Sequence, residues 1–320
     1  MLEHFFQPKS IAVIGAAREE HKIGHDILKN IIGYGFSGKI YPINPKADSV
    51  LGLKAYPSVN AVEGGIDLAV IVVPADLTFQ VIDECARKGI NSAVIITAGF
   101  KESGSAGAAR ERELLERVRR YNIRTIGPNC FGVINTHHRL NTTFSHGHPP
   151  AGNIAFFSQS GAVCTAILDW ALTEHIGFSK FISTGNNMDI NEVDLLKALE
   201  DDPETRVILG YIEGIKDGRA FMETAFRVTK KKPVILIKAG SSVAGARAVS
   251  SHTGSLAGSE NAVNAAFRQS GVLRANSLQE LFVFAEAFSL REIPQGPSVA
   301  LFTNAGGPGA LATDMLISSG

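Results

Sequence analysis

The sequence has few cysteines, no excess charge of either sign and no long apolar run. Each lack removes a class of function. Three cysteines in 320 residues, Cys85, Cys130 and Cys164, are too few and too scattered for a disulfide framework, and none lies in a C-x-x-C pair of the kind that holds zinc. Reduced thiols in a cytoplasmic protein are expected. Thirty-one Lys+Arg balance 31 Asp+Glu, so no long-range field gathers nucleic acid or an anionic membrane surface, although a local anion site is still allowed. The best apolar run, around Leu68 to Val73, stops at Pro74, and the N-terminal Met-Leu-Glu-His-Phe-Phe-Gln-Pro has an acid where a signal peptide carries bases. Neither a signal peptide nor a membrane span is expected. No G-x-x-x-x-G-K-[ST] occurs, which excludes a Walker-type nucleotide loop.

What is present is the composition of a Gly-rich globular enzyme of about two or three domains: 45% hydrophobic, 19% charged and 32 glycines. Strand-like runs alternate with helical periodicity, the pattern of parallel sheets covered by helices. Strands are expected at Ile11 to Ile14, Lys39 to Ile43, Asp67 to Val73, Ser92 to Thr97 and Asn122 to Ile126, with helices at Ile23 to Tyr34, Leu77 to Lys88 and Ala108 to Tyr121. That series makes one doubly wound domain, residues 1–145. From Gly132 to Gly152 the periodicity gives way to a polar stretch with His137, His138, His146 and His148, ending in Pro149-Pro150. It reads as a solvated hinge, and no acid or Cys completes a metal set there.

A second series, residues 146–296, starts at Asn153 to Phe157 and continues with strands near Lys180 to Ser183, Val207 to Ile212 and Val234 to Ile237. Helices are expected at Ala162 to His175, Glu192 to Glu200, Gly218 to Lys230, Asn261 to Ser270 and Ser277 to Ser289. A third opening, Ser298 to Thr303 with a glycine turn and a helix pattern, occupies 297–320. One strand and one helix cannot form a sheet, so the chain is expected to be part of a longer α/β protein.

Several strand ends carry the residues that anion binding needs. Gly15-Ala16-Ala17 follows the first strand, where helix-start N–H groups can face phosphate. The second Gly of G-x-G-x-x-G is absent, and the second strand ends in Asn44-Pro45-Lys46, a cation where a dinucleotide fold carries an acid. That argues against NAD and for another phosphate-bearing ligand. Val73-Pro74-Ala75, Thr97-Ala98-Gly99-Phe100 and Gly127-Pro128-Asn129-Cys130 end three more strands at the same edge, and together these outline a crevice. Phe157-Ser158-Gln159-Ser160-Gly161 joins a strand to an apolar helix, with Ser and Gly positioned to cap it and leave its positive end open to an anion. Its resemblance to a serine nucleophile elbow lacks the first Gly. Ser251-His252-Thr253-Gly254-Ser255-Leu256-Ala257-Gly258 puts a histidine among small residues on no apolar face. Neutral imidazole can attack phosphorus, and by spacing alone this reading stands beside that of a solvated loop histidine.

In this order, these motifs together with Ser183-Thr-Gly-Asn-Asn187, Glu213-Gly214 and Thr303-Asn-Ala-Gly-Gly-Pro308 resemble the ADP-forming acyl-CoA synthetases. The α subunit of succinyl-CoA ligase is a more distant likeness. The resemblance implies a fold class of α/β with a Rossmann-like CoA-binding domain, then a flavodoxin-like ligase domain, then the start of a third α/β domain. It implies the reversible reaction acyl-CoA + phosphate + ADP to acid + CoA + ATP, through an acyl phosphate and a phosphohistidine. His252 matches the phosphorylated residue, and Glu213 matches the acid that bonds its ring. Ser160 and Gly161, faced by Gly185 and Asn186, match the phosphate site. Gly15, Ala16, Lys46, Pro74 and Asn129 match the CoA crevice, and Ala17 replaces a serine common in the family. ADP or ATP with Mg²⁺ is implied on an ATP-grasp partner subunit or C-terminal domain, with a small organic acid as substrate and an oligomeric assembly. The competing class is a non-catalytic CoA-binding regulatory module of the kind fused to lysine acetyltransferases, which commonly lacks the histidine.

Overall fold

A computed structural model of the chain describes residues 2–240, 242, 245, 260–290, 296 and 298–318. The segment that carries His252 lies outside the described residues. The chain divides into two units, Met1–Ser289 and Leu290–Gly320.

A short helix α1 (Glu3–Phe6) opens the first unit, ahead of β1 (Ser10–Ile14), α2 (Ile23–Gly33), β2 (Lys39–Ile43) and a small hairpin of β3 (Ser49–Val50) and β4 (Leu53–Lys54). The series continues with β5 (Leu68–Ile71), α3 (Ala75–Lys88), β6 (Ser92–Ile95), α4 (Ser105–Arg120) and β7 (Arg124–Ile126). The five longer strands form a parallel sheet in the order β2-β1-β5-β6-β7. β1, β5 and β6 are buried along their whole length, as strands with helices on both faces must be, and hence read as unbroken Val/Ile/Ala runs. Strand order reverses between β1 and β5, which opens a crevice at the carboxyl ends of those strands.

The stretch expected to be a solvated hinge is instead structured. It contributes β8 (Val133–Asn135) and β9 (Leu140–Asn141), followed by β10 (Ala151–Ser158), α5 (Gly161–Thr173), β11 (Phe178–Ser183), α6 (Glu192–Glu200), β12 (Val207–Ile212), α7 (Gly218–Val228) and β13 (Val234–Lys238). Then come α8 (Glu260–Ser270), β14 (Leu273–Arg274) and α9 (Leu278–Leu290). The second sheet runs β14-β13-β12-β10-β11-β8-β9, parallel apart from β8 and β9. The change of sheet therefore falls at residue 133, ahead of the boundary expected near 145. His137 and His146 are exposed, but Asn135, Thr136, Asn141, Thr142 and Thr143 of this stretch are buried, and their polar groups are paired, as buried polar groups must be. Asn135 Nδ2 donates to the Phe6 carbonyl (2.9 Å), Thr136 Oγ1 to that of Phe178 (2.6 Å), and Thr142 Oγ1 accepts the Val133 N–H (2.9 Å). His148 stacks on Tyr34 at 4.5 Å and its Nδ1 lies 3.1 Å from Asn141 Nδ2.

In the second unit, residues 298–303 form no strand, and a helix α10 (Gly306–Ser318) follows. A strand needs a hydrogen-bonded neighbour, and the described residues of this unit supply none.

Candidate functional site

A cavity of about 590 Å³ lies at the carboxyl ends of the first sheet's strands, within the range of small-molecule sites. Its walls come from the turns after β1 (Gly15, Ala17), β5 (Pro74), β6 (Thr97, Ala98) and β7 (Asn129, Cys130), with Lys22 and Phe144 added. Gly15 has φ +95°, and a Cβ there would sit 2.2 Å from the Val72 carbonyl oxygen. Only glycine fits this turn. Asn44 Nδ2 donates to the Ala16 carbonyl (2.8 Å), and His25 Nδ1 lies 3.2 Å from the Ala17 carbonyl, so the turn is held from both sides.

Of the residues expected in this crevice, Gly15, Pro74 and Asn129 line it. Ala16 does not, because its methyl group is packed in the core. Lys46 does not either: it is exposed, and its N–H closes a turn onto Asn44 Oδ1 (2.8 Å). The cation on the wall is Lys22, at the start of α2. Local sequence held a signal for it, since a base beside a helix N-terminus favours anions. Burial pushes the Cys130 thiol up to about 12, so this wall residue stays neutral at physiological pH.

The second part of the site is the start of α5. Ser160 is its N-cap, accepting the Val163 N–H (3.4 Å), and the Ser160 N–H is itself bonded to Ser158 Oγ (3.0 Å). Among the described residues, no atom outside its chain neighbours and its own helix lies within 4 Å of the position a Cβ would take on Gly161. The first turn carries no acid, so nothing among the described residues neutralises the positive end of the helix there. Gln159 binds this turn to the end of β12. Its Oε1 accepts the N–H groups of Glu213 (2.7 Å) and Gly214 (3.1 Å), while its Nε2 donates to the Gly214 carbonyl (3.0 Å). Glu213, 7% exposed, is thereby fixed beside the Ser160 turn.

The loop after β11 completes the arrangement. Thr184 N–H bonds to the Ser158 carbonyl (2.8 Å), which places Gly185 next to the α5 turn. Gly185 has φ +55°, and a Cβ on it would meet the carbonyl oxygens of Pro128 and Asn129 at 2.4 Å each. Asn186, expected with Gly185 to line the loop facing the α5 start, lies in that loop and turns its side-chain amide toward other protein groups. Its Nδ2 donates to Glu102 Oε2 (2.5 Å) and Glu111 Oε2 (2.6 Å), and its Oδ1 accepts from Asn129 Nδ2 (3.2 Å). Two carboxylates outcompete an anion for those donors. Asn129 both lines the crevice and bonds this loop, so the cavity and the α5 turn are neighbours. Sequence reasoning also missed Lys216, whose Nζ donates to the Asn187 carbonyl. Burial holds its pKa below the usual lysine range, helped by Lys101.

Two doubly wound sheets, one with a crevice at its switch point and the other with an open helix start beside a fixed acid, define a nucleotide-type binding domain joined to a flavodoxin-like one. Residues 9–136 match the family described as CoA binding domain, and residues 151–288 the family described as succinyl-CoA ligase like flavodoxin domain. The alpha subunit of acetate–CoA ligase (ADP-forming) II from Pyrococcus furiosus is 51% identical over 100% of this chain and 69% of its own length. Acetate–CoA ligase (ADP-forming) I from Archaeoglobus fulgidus is 50% identical over 98% of this chain, which spans 45% of that protein. The Ca. Korarchaeum cryptofilum acetyl-coenzyme A synthetase 1, solved in complex with phosphate and ADP, superposes with a TM-score of 0.96 at 46% identity, covering 99% of this chain and 68% of that one. The chain belongs to the ADP-forming acyl-CoA ligases, which are acid–thiol ligases, and is of their alpha type. These relatives are ligases, so the regulatory-module alternative is set aside.

Proposed function

We propose that this chain supplies the CoA site and the phosphoryl-transfer residue for acyl-CoA + phosphate + ADP giving acid + CoA + ATP, with the nucleotide bound on an ATP-grasp subunit or domain together with Mg²⁺. The observation that carries this reading is the adjacency of the 590 Å³ crevice to the α5 start through the Asn129–Asn186 bond. Attack of phosphate on a thioester requires both ligands in one place.

CoA fits the crevice on two counts. Gly15 lets backbone approach the ligand where a Cβ would collide, and Lys22 offers a counter-charge for its phosphates. Thr97, Ala98 and Phe144 wall the rest. Phosphate is held at the N–H groups beginning at Gly161, with Ser160 as the cap and Gly185 opposite. The phosphate oxygen attacks the thioester carbonyl carbon, the C–S bond breaks with its electron pair on sulfur, and the thiolate takes up the proton the phosphate releases. His252 then attacks the phosphorus of the acyl phosphate, releasing the carboxylate, and hands the phosphoryl group to ADP. Glu213 accepts a hydrogen bond from the other ring nitrogen, which fixes the tautomer and stabilises the cationic ring. The acid is a small organic one, acetate being the substrate named for several relatives.

The test is to incubate the chain with the ATP-grasp subunit, Mg²⁺ and [γ-³²P]ATP. An acid-labile, alkali-stable label is expected on wild type and none on His252→Ala. Label of the same kind retained by the variant refutes the assignment.

A further inference from the structure

No motif pointed to Glu102, yet it joins the two halves of the site. It follows the Thr97–Phe100 turn, and its two carboxylate oxygens serve different elements. Oε1 accepts the N–H groups of Gly99 (2.5 Å) and Phe100 (3.0 Å), holding the turn whose Thr97 and Ala98 wall the crevice. Oε2 accepts from Asn186 Nδ2 (2.5 Å) in the loop that carries Gly185. The second Nδ2 hydrogen of Asn186 goes to Glu111 Oε2 (2.6 Å), which also receives the Lys101 N–H (3.2 Å). With its oxygen taking the Asn129 bond, the amide has one orientation only.

Two carboxylates meeting at one amide nitrogen repel each other, so this arrangement needs specific donors to hold it. Burial pushes the Glu102 pKa up, but the hydrogen bonds from Asn186, Gly99 and Phe100 outweigh it and leave the pKa below the usual carboxylate range. The charged form is therefore built into the fold. An amide in its place has one accepting end and one donating end, and cannot serve both partners.

We infer that Glu102 is a positioning residue for acyl transfer: its carboxylate sets the spacing between the thioester crevice wall and the Gly185–Asn186 loop beside the phosphate. The inference rests on the reading of the site proposed above. Glu102 touches neither reactant, and acts through the turn and the loop it spans. Misplacing reactants by about 1 Å costs on the order of 100-fold in rate, so the effect falls on kcat rather than on binding of either ligand. ATP-driven phosphorylation of His252 does not use the crevice wall and is left unchanged.

The experiment compares wild type with Glu102→Gln in the full chain assembled with its ATP-grasp subunit, using acetyl-CoA, inorganic phosphate and ADP. The expected result is a fall in kcat of about 10- to 100-fold, with CoA Kd, phosphate KM and the His252 label each within about twofold of wild type. Asn186→Asp sets a third carboxylate against Glu102 and Glu111 and lowers kcat further. Adding Glu102→Gln to it restores a donor–acceptor pair and regains at least about fivefold, the coupling a double-mutant cycle reads. If Glu102→Gln does not fold, Asn186→Ala, which removes the bond to Glu102 Oε2 and leaves the Gly99 and Phe100 bonds to Oε1 intact, is expected to give the same selective fall in kcat. Unchanged kcat, equal losses in kcat, CoA binding and label, or no rescue in the double variant each overturn the positioning role. A wild-type chain that takes no label overturns the phosphohistidine reading, and the positioning role with it.

Discussion

Gly185 and Gly161 lie on facing elements, and their opposite surroundings make a paired test of the site. At Gly185 an added methyl meets two backbone oxygens at 2.4 Å and inherits φ +55°. The left-handed conformation costs a non-glycine residue about 1–2 kcal/mol, and forcing a carbon into a packed space adds about 1–3 kcal/mol. The loop can instead move away, which breaks the bonds from Asn186 N–H to Pro128 (2.9 Å) and from Met188 N–H to Gly127 (3.2 Å). At about 1 kcal/mol each, the loss is similar by either route. Gly185→Ala is therefore expected to lose about 2–5 kcal/mol. At roughly 2–4 °C per kcal/mol for a domain of 150–250 residues, the calorimetric midpoint falls by about 4–20 °C. Gly161→Ala behaves in the opposite way. Its methyl meets none of the described residues outside its own helix, and in a helix Ala is favoured over Gly by about 0.5–1 kcal/mol, so the midpoint holds or rises slightly. That methyl occupies the place assigned to phosphate, and the phosphate KM is expected to rise at least about tenfold. A thermally silent Gly185→Ala refutes the packing argument, and a Gly161→Ala variant with wild-type phosphate KM refutes the placement of the anion.

Two further outcomes are expected. Lys22 lines the crevice and Lys46 does not, so Lys22→Ala should weaken CoA binding about 5- to 10-fold by titration calorimetry, with a reduced salt dependence. Lys46→Ala should change it less than twofold, and the reverse order would return the counter-charge to the second strand. Hydrogen bonds from Arg227 and Lys231 hold the Glu200 carboxyl down to about 2. Its folded pKa is below the unfolded value of about 4.3, so its contribution is complete above that value and is lost as the pH falls from about 4.5 to 2. Because both cations stay in solvent, the contribution is on the order of 1 kcal/mol. Glu200→Gln should therefore lower urea stability at pH 7 and flatten the acid limb. An acid limb unchanged by the substitution would contradict the pairing.

Much of the fold was legible because burial writes itself into short runs of sequence. Val207–Ile212 and Glu192–Glu200 fall at the bounds that apolar continuity and helical spacing indicate. α6 even carries a capping box in Asn191 and Asp194. The glycine turns at the strand ends likewise outlined the crevice and the α5 start. The segment from 133 to 150 was misread because polarity is a local property and pairing is not. Asn135 is buried against the Phe6 carbonyl, 129 residues away, and nothing near Asn135 in sequence reports that partner. The direction of the Asn186 amide is illegible for the same reason, since the carboxylates that claim it come from α4 and the turn before it.

The sequence by itself determined the longer alternating strands and helices, the parallel core of each sheet and the kinds of residue at each strand end, all of which depend on periodicity and backbone preference over a few neighbours. Only the tertiary structure decided which cation lines the crevice, which way Asn186 points and that Glu102 bonds both halves of the site. Those outcomes are competitions for hydrogen bonds and buried space among residues far apart in the chain. They are settled by distances of a few tenths of an ångström that no linear pattern encodes.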